Sequence, residues 1–190
     1  MARWEPNARE RLVLAALDLF AEQGYDSTTV TQIANRAGLT KTTFFRHFPD
    51  KREVLFAGQE MHSRLLADGV AAAPDSATPL EAVAAALDAL TASFTAEQHE
   101  FGPRLLTVIA DNPELRERAT FKHAALAAAL TSALGKRGVP DLTASLAADL
   151  GVRAFDRAFD RWVKPSSQQT FTALAREELQ ALRTAAVALG

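Results

Sequence analysis

The stretch Thr29–Lys51, TVTQIANRAGLTKTTFFRHFPDK, decides the fold of this chain. It reads as two short helices joined by a tight turn at Gly38, because glycine supplies the left-handed backbone that such a turn needs. Thr29 and Thr40 stand where helix N-caps stand, and Gln32 completes a capping box with Thr29. The spacing therefore predicts two capped helices, one on each side of the turn.

The second of these helices, Lys41 to about His47, carries cations and hydroxyls, and such a helix suits the major groove of DNA. Lys41 stands at its exposed start and can donate to guanine O6 and N7. Thr42 and Thr43 exceed what one cap needs, so we assign their hydroxyls to DNA contact. The alternative is a solvated surface turn, where hydroxyls merely favour a helix start.

Helical apolar spacing surrounds this helix-turn-helix. A first helix is predicted over about Ala8–Gln23, capped by Asn7 and ended by Gly24. A fourth helix over about 51–70 is capped by Asp50. The first three helices share one small core, formed by Leu12, Val13, Ala16, Leu17, Leu19, Phe20, Val30, Ile33, Ala34, Ala37, Phe44 and Phe48.

The rest of the chain is predicted to be helical as well. Ala71–Pro79 reads as a linker between a small N-terminal unit and a larger one. Further helices are predicted at about 80–94, from Gly102-Pro103, from Asn112-Pro113, and over about 143–163 and 168–189. The fold class is therefore all-α. A three-helix DNA-binding domain occupies 1–52, a C-terminal domain occupies 53–190, and the fourth helix links the two.

Composition excludes several classes of protein. The 190 residues are 48% hydrophobic and include no cysteine, which excludes disulfides and thiolate metal sites. The four histidines are scattered, and no catalytic motif is present, so we predict neither a metal site nor an enzyme. The start of the chain lacks a signal peptide pattern, and no apolar run reaches the roughly 18 residues of a membrane span. A cytoplasmic protein with no membrane partner is expected.

Charge adds little to the argument for DNA. The chain has a net charge of −2, and residues 1–52 carry eight Lys and Arg against six Asp and Glu. Arg3, Arg9 and Arg11 leave two interpretations open. They are either contacts to the minor groove from an N-terminal extension or part of a solvated tail.

The segment from about Ala8 to Phe56 resembles the TetR family of bacterial transcriptional repressors. The resemblance rests on Gly24, the Thr29 cap, Gly38-Leu39-Thr40-Lys41, Phe44, Phe48 and Lys51. It implies DNA contacts, to bases or to phosphates, from Thr29, Thr31, Lys41, Thr42, Thr43, Phe45, Arg46, His47 and Lys51. Phe45 departs from the family pattern, since the usual Tyr offers a hydroxyl to phosphate. Phe45 keeps only apolar contact with sugar or a thymine methyl.

Beyond that segment, the resemblance implies a C-terminal regulatory and dimerisation domain that binds an unidentified small apolar effector. The helix at about 143–163 is apolar on two sides, so it needs two surfaces to pack against. With the last helix it would form a four-helix interface in a homodimer; the alternative is a deep monomeric core. No ligand residue or cofactor is assigned, because ordinary core packing explains each candidate, namely Phe94, Phe101, Leu105, Ile109, Phe121, Phe155 and Trp162.

The sequence as a whole indicates a homodimeric, ligand-responsive transcriptional regulator that binds a palindromic operator in double-stranded DNA. The resemblance favours a repressor acting in the bacterial cytoplasm on the nucleoid. Two alternatives stay open: a DNA-associated helical protein without an effector, and a small helical enzyme. The sequence identifies neither the effector, the operator, the regulated genes nor the direction of regulation.

Overall fold

The computed structural model describes residues 7–56 and 58–189, and within these ranges the secondary structure is entirely helical. The α-helices are α1 Ala8–Gln23, α2 Val30–Arg36, α3 Lys41–His47, α4 Gln59–Ala72, α5 Pro79–Thr91, α6 Ala96–Asp111, α7 Pro113–Lys136, α8 Asp141–Trp162 and α9 Phe171–Val187. A 3-10 helix, Arg52–Phe56, lies between α3 and α4. The predicted all-α class is confirmed.

The chain divides into two compact units. The N-terminal unit contains residues 7–56 together with 101–120, and the C-terminal unit contains 58–100 together with 121–189. The predicted division by function, at residues 1–52 and 53–190, stays a prediction. The spatial division differs from it because parts of α6 and α7 pack with α1 to α3.

Helix α1 ends at Gly24 as predicted, but it does not begin with the predicted cap. Asn7 has a φ of 69° and makes no side-chain hydrogen bond to the helix, so the predicted Asn7 cap is wrong. Gly24 ends α1 at a φ of 83°, and its N–H donates to Phe20 O at 3.1 Å. An L-residue would be strained at that φ, which explains the glycine.

The helix-turn-helix forms as predicted. Thr29 and Gln32 make the complete capping box, and the Thr40 hydroxyl accepts from the Thr43 N–H at 3.1 Å. Gly38 turns the chain at a φ of 66°. A Cβ built there would lie 2.7 Å from Nη2 of Arg11, which donates to the Ala37 carbonyl. The positive φ is therefore what requires glycine at this position, since the end of the flexible Arg11 side chain could move away from a Cβ.

The core of the N-terminal unit is completed from far along the chain. Phe44 and Phe48 are 0% and 2% exposed, as predicted. Val108 of α6 and Leu115 of α7 belong to the same buried cluster as the residues of α1 to α3. Ion pairs reinforce this packing, with Arg104 paired to Asp18 and Arg118 paired to Glu53.

The predicted fourth helix over about 51–70 is wrong as one continuous element. The Asp50 carboxylate does accept from the N–H groups of Arg52 and Glu53, but it caps the 3-10 helix. Helix α4 starts only after Gly58, whose φ is 98°. Met61 is 48% exposed, whereas Leu66 and Val70 are buried.

The predicted linker at Ala71–Pro79 does not separate the two units. Helices α4 and α5 pack against each other within the C-terminal unit, and this segment contains the turn between them. Arg137 of α7 closes the turn by donating to the carbonyls of Val70 at 3.1 Å, Ala73 at 2.8 Å and Pro74 at 2.5 Å. Gly69 allows the close approach, since a Cβ there would lie 2.5 Å from Ala86 Cα.

The predicted helix start at Gly102-Pro103 is also wrong, because Pro103 lies inside α6. The true start is fixed by Thr95 and Gln98, which hydrogen-bond in capping-box fashion at 2.8 and 3.3 Å. Thr95 and Gln98 are three residues apart, so local sequence specifies that cap. The packed helix tolerates the loss of the one backbone hydrogen bond that Pro103 cannot donate. The predicted start of α7 at Asn112-Pro113 is correct, with Asn112 Oδ1 accepting from Leu115 N at 3.2 Å.

The two long terminal helices are present as predicted. Glu178 of α9 is 4% exposed and accepts from Arg157 at 2.5 Å and Arg161 at 2.7 Å, which ties α9 to α8. The rings of Trp162 and Phe171 stack with centroids 4.9 Å apart. Among residues 7–56 and 58–189, no helix is long and apolar enough to cross a membrane.

Leu115→Ala tests whether α7 completes the core of the N-terminal unit. Leu115 is fully buried, so we expect the free energy of unfolding to fall by about 2–5 kcal/mol, because apolar packing is removed and a cavity remains. Denaturant unfolding of the full chain measures this change. Leu189→Ala, at a position 89% exposed, is the matched control. Equal effects of the two substitutions would contradict the assignment.

Candidate nucleic-acid interface

Helix α3 presents a polar and aromatic face to solvent. Lys41, Thr42, Phe45 and Arg46 are exposed, and their spacing places them on one side of the helix. Phe44, on the other side, is fully buried. A seven-residue helix is not stable alone, so the buried side fixes how the outward side is presented.

The hydroxyls at the start of α3 have different surroundings. The Thr40 hydroxyl accepts from the Thr43 N–H, and the two hydroxyl oxygens lie 3.0 Å apart. Thr43 is therefore partly engaged in capping. Thr42 is exposed, and its hydroxyl makes no hydrogen bond to another described residue. Of the two threonines of α3 that are assigned to DNA, Thr42 has the hydroxyl that is free for a ligand.

Phe45 is held at the surface, 49% exposed. Its ring meets the buried Phe44 ring edge to face, with centroids 5.6 Å apart and an interplanar angle of 84°. Lys41 Nζ lies 5.9 Å from the Phe45 centroid, within the range of a cation–π contact. The Lys41 ammonium and the Phe45 ring therefore sit together on the exposed side of α3.

The start of α2 offers fewer free groups than the sequence suggested. The Thr29 hydroxyl accepts from Gln32 N at 3.2 Å and donates to Gln32 Oε1 at 2.9 Å, so its one proton is already donated. Thr31 is exposed, and its hydroxyl makes no hydrogen bond to another described residue. Arg36 forms two hydrogen bonds to the Glu22 carboxylate, at 2.9 and 2.7 Å, which hold α2 against α1.

Lys51 has an internal role that sequence reasoning missed. Its ammonium donates to the carbonyls of Tyr25 at 2.7 Å and Thr28 at 3.0 Å, and lies 3.9 Å from the Tyr25 ring centroid. Burial lowers the pKa of Lys51, although the carboxylates of Asp26 and Glu114 oppose that shift. Two of the three N–H donors therefore hold the connector between α1 and α2. No local spacing signals a contact between residues 26 positions apart.

The same connector is also held by its own threonine. Thr28 is 1% exposed and donates to Gly24 O at 2.8 Å. Burial raises the pKa of Tyr25, and the negative charge of the Glu114 carboxylate raises it further. The connector that leads into α2 is thus held by the side chains of Lys51 and Thr28.

The N-terminal arginines do not share one environment. Arg3 lies outside the described residues. Arg11 donates to the Ala37 carbonyl and so caps the C-terminal end of α2. Arg9 lies in the first turn of α1, with its guanidinium carbon 5.6 Å from the Phe48 centroid. Arg9 and Arg11 are therefore helical residues, and neither belongs to an extension.

His47 is the least exposed of the predicted contact residues at the end of α3. Its Nε2 is buried and has no hydrogen-bond partner. Burial lowers the pKa of His47, and the positive charges of Arg46 and Arg9 lower it further. The ring is therefore neutral near neutral pH and carries no charge of its own for phosphate.

Comparison with known proteins identifies the motif. Residues 12–57 match the family described as "Bacterial regulatory proteins, tetR family". The chain is 37% identical over 82 residues to the HTH-type transcriptional regulator TcmR of Streptomyces glaucescens, covering 43% of this chain and 36% of TcmR. It is 36% identical over 95 residues to the HTH-type transcriptional regulator BetI of Rhizobium meliloti, covering 50% of this chain and 45% of BetI. The matches thus span less than half of either relative.

Solved structures share the fold over nearly the whole chain. A TetR-family transcriptional regulator from Syntrophomonas wolfei is similar with a TM-score of 0.60 at 17% identity, covering 95% of each chain. The regulator FadR of Bacillus subtilis, in complex with stearoyl-CoA, is similar with a TM-score of 0.56 at 21% identity, covering 91% of this chain and 96% of FadR. Residues 12–57 therefore match the N-terminal segment of the tetR family of bacterial regulatory proteins, and the chain shares the all-helical fold of the solved structures.

Proposed function

We propose that this protein is a sequence-specific DNA-binding transcriptional regulator, acting as a repressor in the bacterial cytoplasm on the nucleoid. The observation that carries the proposal is the outward side of α3, where Lys41, Thr42, Phe45 and Arg46 stand over a rigid buried base. A helix held in this way can enter the major groove and present side chains to base edges.

The nine predicted contact residues divide into two groups. The first group, Lys41, Thr42 and Phe45, contacts base edges. Lys41 donates to a guanine, the Thr42 hydroxyl can donate to or accept from a base, and Phe45 packs against a thymine methyl. The remaining residues fix position along the backbone, namely Thr29, Thr31, Thr43, Arg46, His47 and Lys51. Lys51 has only its third N–H available for a phosphate, because the other two donate within the protein.

A homodimer is proposed from apolar side chains left in solvent on the last two helices. Leu142 and Leu146 of α8 are 73% and 56% exposed, and Val187 of α9 is 75% exposed. Exposed large apolar side chains on neighbouring elements favour association with a second surface. A two-fold dimer through α8 and α9 would require an operator with the same symmetry.

The C-terminal unit is proposed to bind a small apolar effector. Its aromatic cluster supports this class of ligand: Phe94 lies 5.0 Å from Phe171 and 5.9 Å from Trp162, measured between ring centroids. The FadR structure contains stearoyl-CoA, a ligand with a long apolar acyl chain, in a protein of the same fold. The effector would release DNA only if it prefers a conformation that does not fit the operator.

Selection of bound fragments from the source genome tests the proposed function. We expect enrichment of a few fragments that share an inverted repeat, because two α3 helices related by a two-fold axis read two half-sites. Sequencing the retained fragments at modest ionic strength gives the readout. Binding without sequence preference would contradict the proposal. A screen of small molecules by thermal shift then separates the alternatives. A compound that stabilises the protein and releases it from the operator would indicate a ligand-responsive regulator, as opposed to a DNA-associated protein without an effector. Chemical conversion of such a compound by the protein would favour an enzyme.

Substitutions of two lysines distinguish base contact from backbone contact. Lys41→Ala should lose about 1–3 kcal/mol of discrimination at one operator base pair. Lys51→Met should weaken binding to all duplexes and flatten the salt dependence, and it should also destabilise the protein because two carbonyls lose their donor. Titrations on operator variants at several salt concentrations measure both effects. Uniform loss with Lys41→Ala would reassign Lys41 to phosphate, and an unchanged salt slope would leave Lys51 with its internal role only.

The dimer interface is tested by placing charge on the exposed side of α8. The double substitution Leu142→Glu and Leu146→Glu should produce a monomer, because burying two carboxylates without partners is unfavourable. Sedimentation at several protein concentrations measures the assembly. Met61→Glu, at a position 48% exposed on α4, is the control and should remain a dimer. A dimer that survives the double substitution would place the interface elsewhere.

A further inference from the structure

Three positively charged or protonatable side chains gather where the start of α1 meets the end of α3. The Arg9 guanidinium lies over the ring of Phe48, which is 2% exposed and therefore a fixed platform. Arg46 and His47 directly precede Phe48 in the chain. Arg9 and Arg46 are both exposed, and both are close enough to His47 to influence its protonation.

This cluster lacks the negative charges that accompany other arginines of the same unit. Arg36, Arg52, Arg104 and Arg118 pair with Glu22, Asp50, Asp18 and Glu53, respectively. Neither Arg9 nor Arg46 forms an ion pair with any carboxylate of residues 7–56 and 58–189. Like charges gathered without a counter-charge repel each other, so the free protein carries an unfavourable interaction that an anion would remove.

His47 adds an independent sign of an incomplete site. Its Nε2 is buried and has no hydrogen-bond partner within the described chain. A buried polar atom that has lost water without gaining a partner is unusual in a folded protein. The unpaired atom and the uncompensated cations therefore occur at the same edge of α1 and α3.

We propose that Arg9 and Arg46 together bind a phosphate group of the DNA backbone at this edge, with His47 beside them. This inference rests on the proposed function and adds Arg9 to its contact residues. A guanidinium suits phosphate because it can donate two parallel hydrogen bonds to it. Arg9 lies within α1 and packs on Phe48, so it contacts the backbone next to the groove that α3 enters. It is not part of an arm that reaches the minor groove.

A purely structural role for Arg9 makes a different prediction for stability. If Arg9 mainly stabilises Phe48 through the cation–π contact, Arg9→Gln should lower the melting temperature of the free protein. If Arg9 and Arg46 instead form a phosphate site that is empty in the free protein, Arg9→Gln removes a repelling charge. The melting temperature of the free protein should then stay unchanged or rise. Thermal unfolding without DNA therefore separates the two roles before any binding is measured.

The binding test compares the full-length protein with Arg9→Gln, Arg9→Lys and the control Lys164→Gln. Lys164 is exposed, lies in the C-terminal unit and loses the same charge. Dissociation constants are measured for the selected operator and for an unrelated duplex, over salt concentrations from about 50 to 200 mM. Arg9→Gln should flatten the slope of log K against log salt by about 0.9 for each phosphate that the variant no longer neutralises. It should weaken both duplexes by the same factor, while Arg9→Lys and Lys164→Gln retain the slope.

Each other outcome overturns the inference in a recognisable way. An unchanged slope for Arg9→Gln, or weakening of the operator alone, removes Arg9 from the phosphate contacts. Stabilisation by inorganic phosphate that depends on Arg9, with no change in the DNA slope, would assign the cluster to a free anion. If the wild-type protein shows no sequence preference, only the proposed function is contradicted. The slope of log K against log salt on the unrelated duplex still tests whether Arg9 contacts phosphate. Wild-type selectivity with an unaltered Arg9→Gln slope would contradict this inference alone.

Discussion

The burial of Phe44 and Phe48 is the constraint on which the interface depends. Helix α3 has only seven residues, so its conformation comes from packing and from the Thr40 cap, with little contribution from intrinsic helix propensity. With both rings fully or nearly fully buried, the opposite side of α3 must face outward. The presentation of Lys41 and Phe45 is therefore a consequence of two buried aromatic side chains one turn apart.

The support beneath α3 is not contiguous in the chain. Val108 and Leu115 join the core formed by α1 to α3, in the same buried cluster as Tyr25. Lys51 then ties Tyr25 and Thr28 together at their carbonyls. The connector before α2 is thus fixed from several directions, and a change in the first turns of α7 would be felt at the start of α2. Physical coupling of this kind needs contiguous packing, which the N-terminal unit provides.

In the N-terminal unit, the pairing of charged side chains matters more than how many of them there are. Three of its described arginines, Arg36, Arg104 and Arg118, hold one element against another through a carboxylate. A net charge near neutrality therefore says little about DNA. What distinguishes the edge of α1 and α3 is the absence of pairing at Arg9 and Arg46 within the described residues, beside a histidine nitrogen that has no partner. Residue counts alone concealed this difference.

The sequence by itself determined the all-α class, the capping boxes, the turn at Gly38 and the inward direction of Phe44 and Phe48. These features depend on residues three to five positions apart, so a local pattern specifies them. Local pattern also placed Lys41, Thr42 and Phe45 on one side of α3. Only the tertiary structure decided that Lys51 donates two hydrogen bonds to carbonyls within the protein, that Arg9 packs on Phe48, and that residues 101–120 complete the N-terminal core. It also decided the break at Gly58, because a helical pattern continues through that position in sequence while the packed chain bends there. Contacts between residues tens of positions apart are chosen by packing, and a single sequence carries no periodic signal for them.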